Sequence, residues 1–257
     1  MSGSWKKPGV GGSVLYAVLG ALASSVVASF ARLEVARASE RNETLRQLPA
    51  GGLIVVANHT SLADGVFLAL AGRQLGRPLR LLGTAGIIEA PLLGRILRAL
   101  GYIAVPRRGP NPAAALGPAA DALRAGEAIA LYPEGRITRN ERFWPERAKT
   151  GAVRLALEVG VPIVPLASIG AHNVVGRRRK IWSLVRALWR RPEVTMRLGP
   201  PFLPRRFLGL PDSGEISETS PDDVRRASDE MMRQLVGLVE SLRHDRAPDP
   251  LGVPRST

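Results

Sequence analysis

From Gly51 onward, short apolar runs alternate with stretches of helical periodicity. Leu53–Ala57, with the sequence LIVVA, has no polar position to turn toward solvent. It predicts a strand buried on both sides. Residues 101–105, 128–132, 162–169 and 194–198 read as further strands, and 80–83 as a short one. Helices are expected at 62–75, 91–100, 112–125, 150–159 and 181–189, with a last one at about 222–243. Pro91 suits a first helical position, and Gly126 and Gly160 suit the turn that closes a helix. Strands without alternation, joined by helices, imply an α/β fold: a largely parallel mixed sheet covered by helices. Pro162 and Pro165 each remove a ladder donor, so their strand is expected at an edge or irregular.

Ahead of this domain, residues 14–30 carry no charge. Their length sits at the lower end of the roughly 17–25 residues of a spanning helix. Gly20, Ser24 and Ala28 recur every four positions, which permits close helix packing. Three readings compete: a membrane-associated or interfacial helix, a buried core helix, and a secretory signal peptide. The last is prompted by Lys6 and Lys7, the apolar stretch and then Val26-Val27-Ala28. The helical pattern is expected to continue through Arg32, Glu34 and Arg37 to about Gln47, which a cleaved signal does not need. The chain thus divides into a loose tail (1–12), an N-terminal helical membrane-associating segment (13–47), an α/β domain (48–245) and a second loose tail (246–257).

Composition narrows the chemistry. The 257 residues include 36 Lys+Arg against 22 Asp+Glu, a formal charge of +14. The absence of cysteine removes disulfides, thiolate zinc sites and a cysteine nucleophile together. Three histidines, His59, His172 and His244, argue against a multi-His metal centre. The charge excess points to nucleic acid, an anionic membrane or a phosphorylated substrate. Only four of the basic residues are lysine, so a genomic arginine bias contributes to the total. Aromatics are 5% of the chain, and the densest basic run, 177–180, has only Trp182 nearby. That is not the interleaving of a nucleic-acid surface, which argues against a nucleic-acid partner.

Candidate chemistry lies just past the strands, where open α/β sheets place their sites. LIVVA runs into Asn58-His59-Thr60-Ser61-Leu62-Ala63-Asp64. A five-residue offset turns about 140° on an ideal helix, so His59 must sit in the loop and Asp64 in the first turn that follows. There Asp64 could fix one imidazole nitrogen and leave the other as a general base. Equally, Ser61-x-x-Asp64 reads as a plain helix cap. A later strand runs into Pro133-Glu134-Gly135-Arg136, either a polar site or an ordinary turn. Residues 101–105 deliver Arg107 and Arg108, either a phosphate fork or a solvated basic loop. Lys149-Thr150-Gly151 precedes a helix whose N-terminus could hold an anion, and it reads equally as a simple helix start.

In order and spacing these pieces resemble the glycerolipid acyltransferase superfamily, typified by lysophosphatidic acid (1-acylglycerol-3-phosphate) acyltransferase. His59-x4-Asp64, Gly101 to Arg107, Tyr132-Pro133-Glu134-Gly135 and Val161-Pro162-Ile163-Val164-Pro165 resemble its four blocks. The resemblance implies a general base at His59 oriented by Asp64, with Arg107 on the acceptor phosphate. It implies a substrate site shaped by Glu134 and Gly135, with Arg136 assisting. Two departures stand: Arg136-Ile137-Thr138 displaces the family's basic residue by one, and two arginines compete in the second block, where register favours Arg107. The implied reaction moves a fatty acyl chain from acyl-CoA or acyl carrier protein to a lysophospholipid hydroxyl, giving phosphatidic acid in phospholipid biosynthesis. It needs no cofactor and no metal. The implied partners are an anionic membrane surface, the lysophospholipid and acyl-CoA, at the cytoplasmic face of the cell membrane. The alternatives are another acceptor (glycerol-3-phosphate, a lyso-ornithine lipid or a glycolipid) or a non-catalytic membrane-binding protein of the same fold.

Overall fold

The computed structural model describes residues 5, 7–36, 48–88, 90, 91, 93–105, 116–177, 180–211, 219–243 and 245–247. Helix α1 (Val10–Phe30) leads into β1 (Arg32–Ala36). Then follow β2 (Leu53–Ala57), α2 (Asp64–Gln74), β3 (Leu79–Thr84), α3 (Ala85–Ile88), α4 (Leu93–Ala99) and β4 (Ile103–Val105). The middle of the chain forms α5 (Gly117–Arg124), β5 (Ala128–Leu131), α6 (Gly151–Val159), β6 (Ile163–Ile169) and α7 (Ala171–Val174). The last part comprises α8 (Lys180–Arg190), β7 (Glu193–Leu198), α9 (Pro204–Phe207) and α10 (Pro221–Arg243). The strands lie side by side in the order β1-β7-β6-β2-β5-β3-β4. Every neighbouring pair is parallel except β6 with β7. This is the largely parallel mixed sheet, covered by helices, that the apolar runs imply.

Strand β2 shows why those runs lack alternation. Side chains on a strand point alternately to its two faces, and here both faces are covered. Leu53, Val55 and Ala57 join a layer with Phe67, Leu68 and Ala71 of α2. Ile54 and Val56 join the opposite layer, with α5, α6 and α10. Gly160 closes α6 at φ 75°, a left-handed conformation that glycine reaches without a Cβ clash.

Two expectations change, and one of the three readings of the first helix falls. The first helix does not continue to about Gln47. Ala31 turns extended, and β1 runs parallel to β7. Leu33 and Val35 pack on the core while Arg32 and Glu34 are exposed, so the period there is two. Residues 37–47 lie outside the described residues, as does most of the expected C-terminal tail. Second, the proline-flanked strand is not at an edge: β6 lies between β2 and β7. Pro165 is tolerated because its carbonyl, and hence its nitrogen, faces the side where β7 has just ended. That carbonyl accepts the Gly199 N–H at 2.8 Å, one residue past Leu198. Third, α1 is no core helix, since none of its residues is buried. It is long and apolar enough to cross a membrane.

Candidate active site

The site begins where β2 stops. The Asn58 side-chain amide pairs with the β6 backbone as if it were one more rung. Its Nδ2–H donates to Ser168 O at 2.8 Å, and its Oδ1 accepts the Ser168 N–H at 2.7 Å. This anchors the first residue of the loop and aims the next, His59, out of the sheet. Asp64 then opens α2 and is 1% exposed.

One oxygen of Asp64 gathers the whole loop. Oδ2 accepts the Thr60 N–H at 2.6 Å and the Ser61 N–H at 2.8 Å, and lies 2.9 Å from His59 Nδ1. Two backbone N–H donors converge on this oxygen, and the N-terminus of α2 favours negative charge there. A proton on Nδ1 would point at this oxygen and leave the Nε2 lone pair free. The carboxylate that faces the imidazole thus also ties down the loop ahead of α2, whose N-cap residue, Ala63, receives no side-chain cap bond. Ser61 Oγ donates to Val175 O at 2.8 Å and accepts the Ala63 N–H, so the hydroxyl is committed to the scaffold. The His59 ring stacks on Tyr132, centroids 3.9 Å apart and planes 12° from parallel. Burial pushes the Tyr132 phenol well above its usual range, so the stacking partner stays neutral. The His59 side chain keeps 17% exposure against 1% for Asp64. The imidazole is reachable while the carboxylate that orients it is not.

Glu134 turns inward. Its Oε1 accepts the His59 N–H at 3.3 Å and its Oε2 the Glu146 N–H at 3.0 Å. Burial outweighs these two bonds and raises its carboxyl pKa from 4.5 to about 7. Glu134 braces the His59 loop rather than presenting a carboxylate to open space. Gly135 has φ 71°, and a Cβ there would lie 3.0 Å from Lys149 Nζ. Lys149 is held beside this turn by its own N–H, which donates to Pro133 O at 2.9 Å. Arg136 is half-exposed and donates through Nε and Nη2 to Glu146 Oε2 at 3.2 and 3.0 Å. Arg107 falls in 106–115, outside the described residues. Among the described residues, no three His, Asp or Glu side chains gather as a metal ion would need.

One supporting residue carried no signal in the sequence. Arg177 belongs to the basic run 177–180, yet it faces the protein. Its guanidinium donates to Thr138 O at 2.8 Å and Asn140 O at 2.6 Å, and lies 4.4 Å from the Phe143 ring centroid. The Thr138 N–H in turn donates to His59 O at 2.8 Å. Arg177 therefore clamps the loop after Arg136 onto the backbone of the histidine. Only the tertiary path of β6 and α7 brings it there.

The Acyltransferase family model matches residues 38–169, which include His59, Asp64, Glu134, Gly135 and Arg136. The chain belongs to the acyltransferase family. It is 33% identical over 125 residues to a 1-acyl-sn-glycerol-3-phosphate acyltransferase of Limnanthes douglasii, covering 46% of this chain and 41% of the relative. It is 26% identical over 134 residues to a chloroplastic 1-acyl-sn-glycerol-3-phosphate acyltransferase of Brassica napus, covering 51% and 37%. The match thus spans less than half the length of either relative. The crystal structure of the 1-acyl-sn-glycerophosphate acyltransferase of Thermotoga maritima superposes with a TM-score of 0.62 at 18% identity, over 92% of this chain and 83% of that one. At that identity the likeness is one of fold. Within the acyltransferase family match lie β2, β5 and most of the strands that carry the site; α1 and α8 lie outside it.

Proposed function

We propose that this chain transfers a fatty acyl group from acyl-CoA or acyl carrier protein to the free hydroxyl of 1-acylglycerol-3-phosphate, giving phosphatidic acid. The observation that carries the reading is the His59–Asp64 pair at the end of β2, Nδ1 lying 2.9 Å from Oδ2, a contact that with the proton on Nδ1 leaves Nε2 as the base. An acceptor hydroxyl has a pKa far above 7 and needs a base as it attacks. Nε2 takes that proton while the hydroxyl oxygen bonds to the thioester carbonyl carbon. The tetrahedral oxyanion collapses, the carbon–sulfur bond breaks, and the thiolate leaves with the proton returned by the imidazolium. Asp64 stabilises the imidazolium through the bond already formed. No covalent enzyme intermediate arises, which suits a chain without cysteine. Arg107 holds the acceptor phosphate with help from Arg136, and Glu134 and Gly135 fix the turn beneath it.

A lysophospholipid resides in a bilayer, and α1 is the element that reaches it. Its 21 residues extend about 31 Å, enough to span. Yet the segment stays on the α/β domain from end to end. Trp5 Nε1 donates to Gly101 O, the Tyr16 hydroxyl to Ala69 O, and Arg73 to Ala17 O. Val27 and Phe30 pack on the core. These contacts favour a helix lying along one leaflet, at the cytoplasmic face of the cell membrane where acyl-CoA is found.

The test is thiol release from acyl-CoA by the purified protein with a panel of acceptors. Release with 1-acylglycerol-3-phosphate, falling about 10²–10⁴-fold in His59→Ala, is the expected result. Undiminished release by folded His59→Ala refutes the mechanism. Release only with a non-phosphorylated acceptor redirects the substrate.

A further inference from the structure

Helix α8 is amphipathic, and it faces the wrong way for a soluble protein. At 100° per residue, Ile181, Trp182, Leu184, Val185, Leu188 and Trp189 fall within an arc of about 160°. In a water-soluble domain such an arc packs on the core. Here Ala187 is the one residue of α8 that is buried. Ser183 helps seat the same side, accepting the Gly176 N–H at 2.8 Å. The apolar arc points outward, with Trp182 72% and Trp189 85% exposed. Two tryptophans one heptad apart form a ledge of large amphipathic rings, the side chains that favour a membrane interface.

The geometry points to α8 as a second membrane-docking element, lying in the headgroup region of an anionic leaflet with Trp182 and Trp189 inserted. Three observations select this occupant. Lys180, Arg186 and Arg190 lie on the arc's far side or along its edge, and among the described residues none of them makes an ion pair. Unpaired cations beside an apolar face match lipid phosphates. A cavity of about 610 Å³ lies against Arg186, Arg190, Trp182 and His172, beside the helix, with room for a headgroup. Finally, α8 packs against α1, whose Val10, Val14, Val18, Leu22 and Val26 are also exposed. Two adjoining helices thus both expose apolar side chains. A second copy of this chain is the poorer fit, because each copy carries +14 and would set like charge against Lys180, Arg186 and Arg190.

This inference rests on the membrane part of the proposed function, but its test reads binding without turnover. The full chain is mixed with vesicles of phosphatidylcholine or of an equal mixture with phosphatidylglycerol, and sedimented. Trp182→Ala/Trp189→Ala should bind the mixed vesicles about tenfold or more weakly, with an unchanged thermal midpoint. Lys180→Gln/Arg186→Gln/Arg190→Gln should lose the preference for the mixed vesicles. Brominated lipid should quench the wild-type fluorescence, and Trp182→Phe/Trp189→Phe should bind but lose most of that quenching. Of the other two tryptophans, Trp144 is buried and cannot supply it, and Trp5 is replaced by phenylalanine in both proteins compared. Unchanged binding by the alanine pair, or wild-type quenching that survives the phenylalanine pair, overturns the assignment. So does a dimer in solution that the alanine pair dissolves while vesicle binding persists. Acyl transfer to a water-soluble short-chain acceptor should be the same in wild type and the alanine pair. Its absence in both would count against the catalytic reading alone.

Discussion

Helices α8 and α10 carry the same kind of pattern and resolve it in opposite directions. Over Pro221–Arg243, Val224, Ala227, Met231, Met232, Leu235 and Val239 all turn into the core beside β6 and α6. Its charges close on themselves within a turn: Arg225 with Asp229, Arg226 with Asp223 and Arg233 with Glu230. In α8 the apolar arc is exposed and the three cations find no carboxylate among the described residues. Periodicity therefore defines a face but not what covers it. The pairing of the polar side is the second signal: a helix whose charges are neutralised internally is finished by the fold, and one whose charges are not awaits something else.

The sharpest way to break this contrast is to truncate a leucine on each helix. Leu235 is fully buried, so Leu235→Ala removes both its transfer energy and its packing, about 2–5 kcal/mol. Leu188 is half-exposed, so Leu188→Ala should stay within about 0.5 kcal/mol of wild type. Urea unfolding of both variants reads the difference. Similar losses at the two positions would mean that α8 is packed after all, and the outward assignment would fall with it.

The next effect concerns a charge buried without a cation bonded to it. Burial raises the Glu134 carboxyl from 4.5 to about 7. Folded protein then holds this proton more tightly than unfolded chain does. The resulting stability is fully present below about pH 4.5 and is lost as pH rises through 7. A shift of this size corresponds to at most about 3 kcal/mol. Glu134→Gln cannot ionise. It loses one acceptor for the His59 or Glu146 N–H, so it is less stable overall, but wild type should lose stability relative to it between pH 5 and 8. Parallel pH profiles from thermal unfolding would show that Glu134 is ionised throughout.

These two regions also show what the sequence could and could not carry. The strands and the His59–Asp64 loop were legible because their signals are local. An apolar run needs two covered faces, and Asp64 is close enough in sequence to close a loop on itself. The end of α1 was not legible from helical spacing, since charges at 32 and 34 alone are too few to set a period of two until β7 is in place to pair with β1. Nor was the interior place of β6, because it depends on Pro165 standing opposite Gly199, just past the end of β7, where its carbonyl still accepts a ladder bond. Arg177 stood out only as part of a basic run, and the inward turn of Glu134 depends on loop 138–146, which no local pattern specifies.

Arg136 lies between the two cases and gives the smallest, most discriminating effect. It is paired, like the arginines of α10, yet half-exposed beside the candidate site. As an exposed ion pair with Glu146 it contributes no more than about 1 kcal/mol, so Arg136→Ala should barely move the thermal midpoint. If it also holds the acceptor phosphate, it makes a charge-assisted bond of about 1.5–3 kcal/mol, and the variant should raise KM for a phosphorylated acceptor about 10–150-fold. The kcat should change little, and KM for a non-phosphorylated acceptor should stay put. Glu146→Gln then provides the reciprocal reading. Its backbone N–H still donates to Glu134, but its side chain no longer competes for the guanidinium. Freed in this way, Arg136 should lower KM for the phosphorylated acceptor. If Arg136→Ala raises both KM values alike and Glu146→Gln does the same, the pair is a brace for the loop, and the phosphate belongs to Arg107.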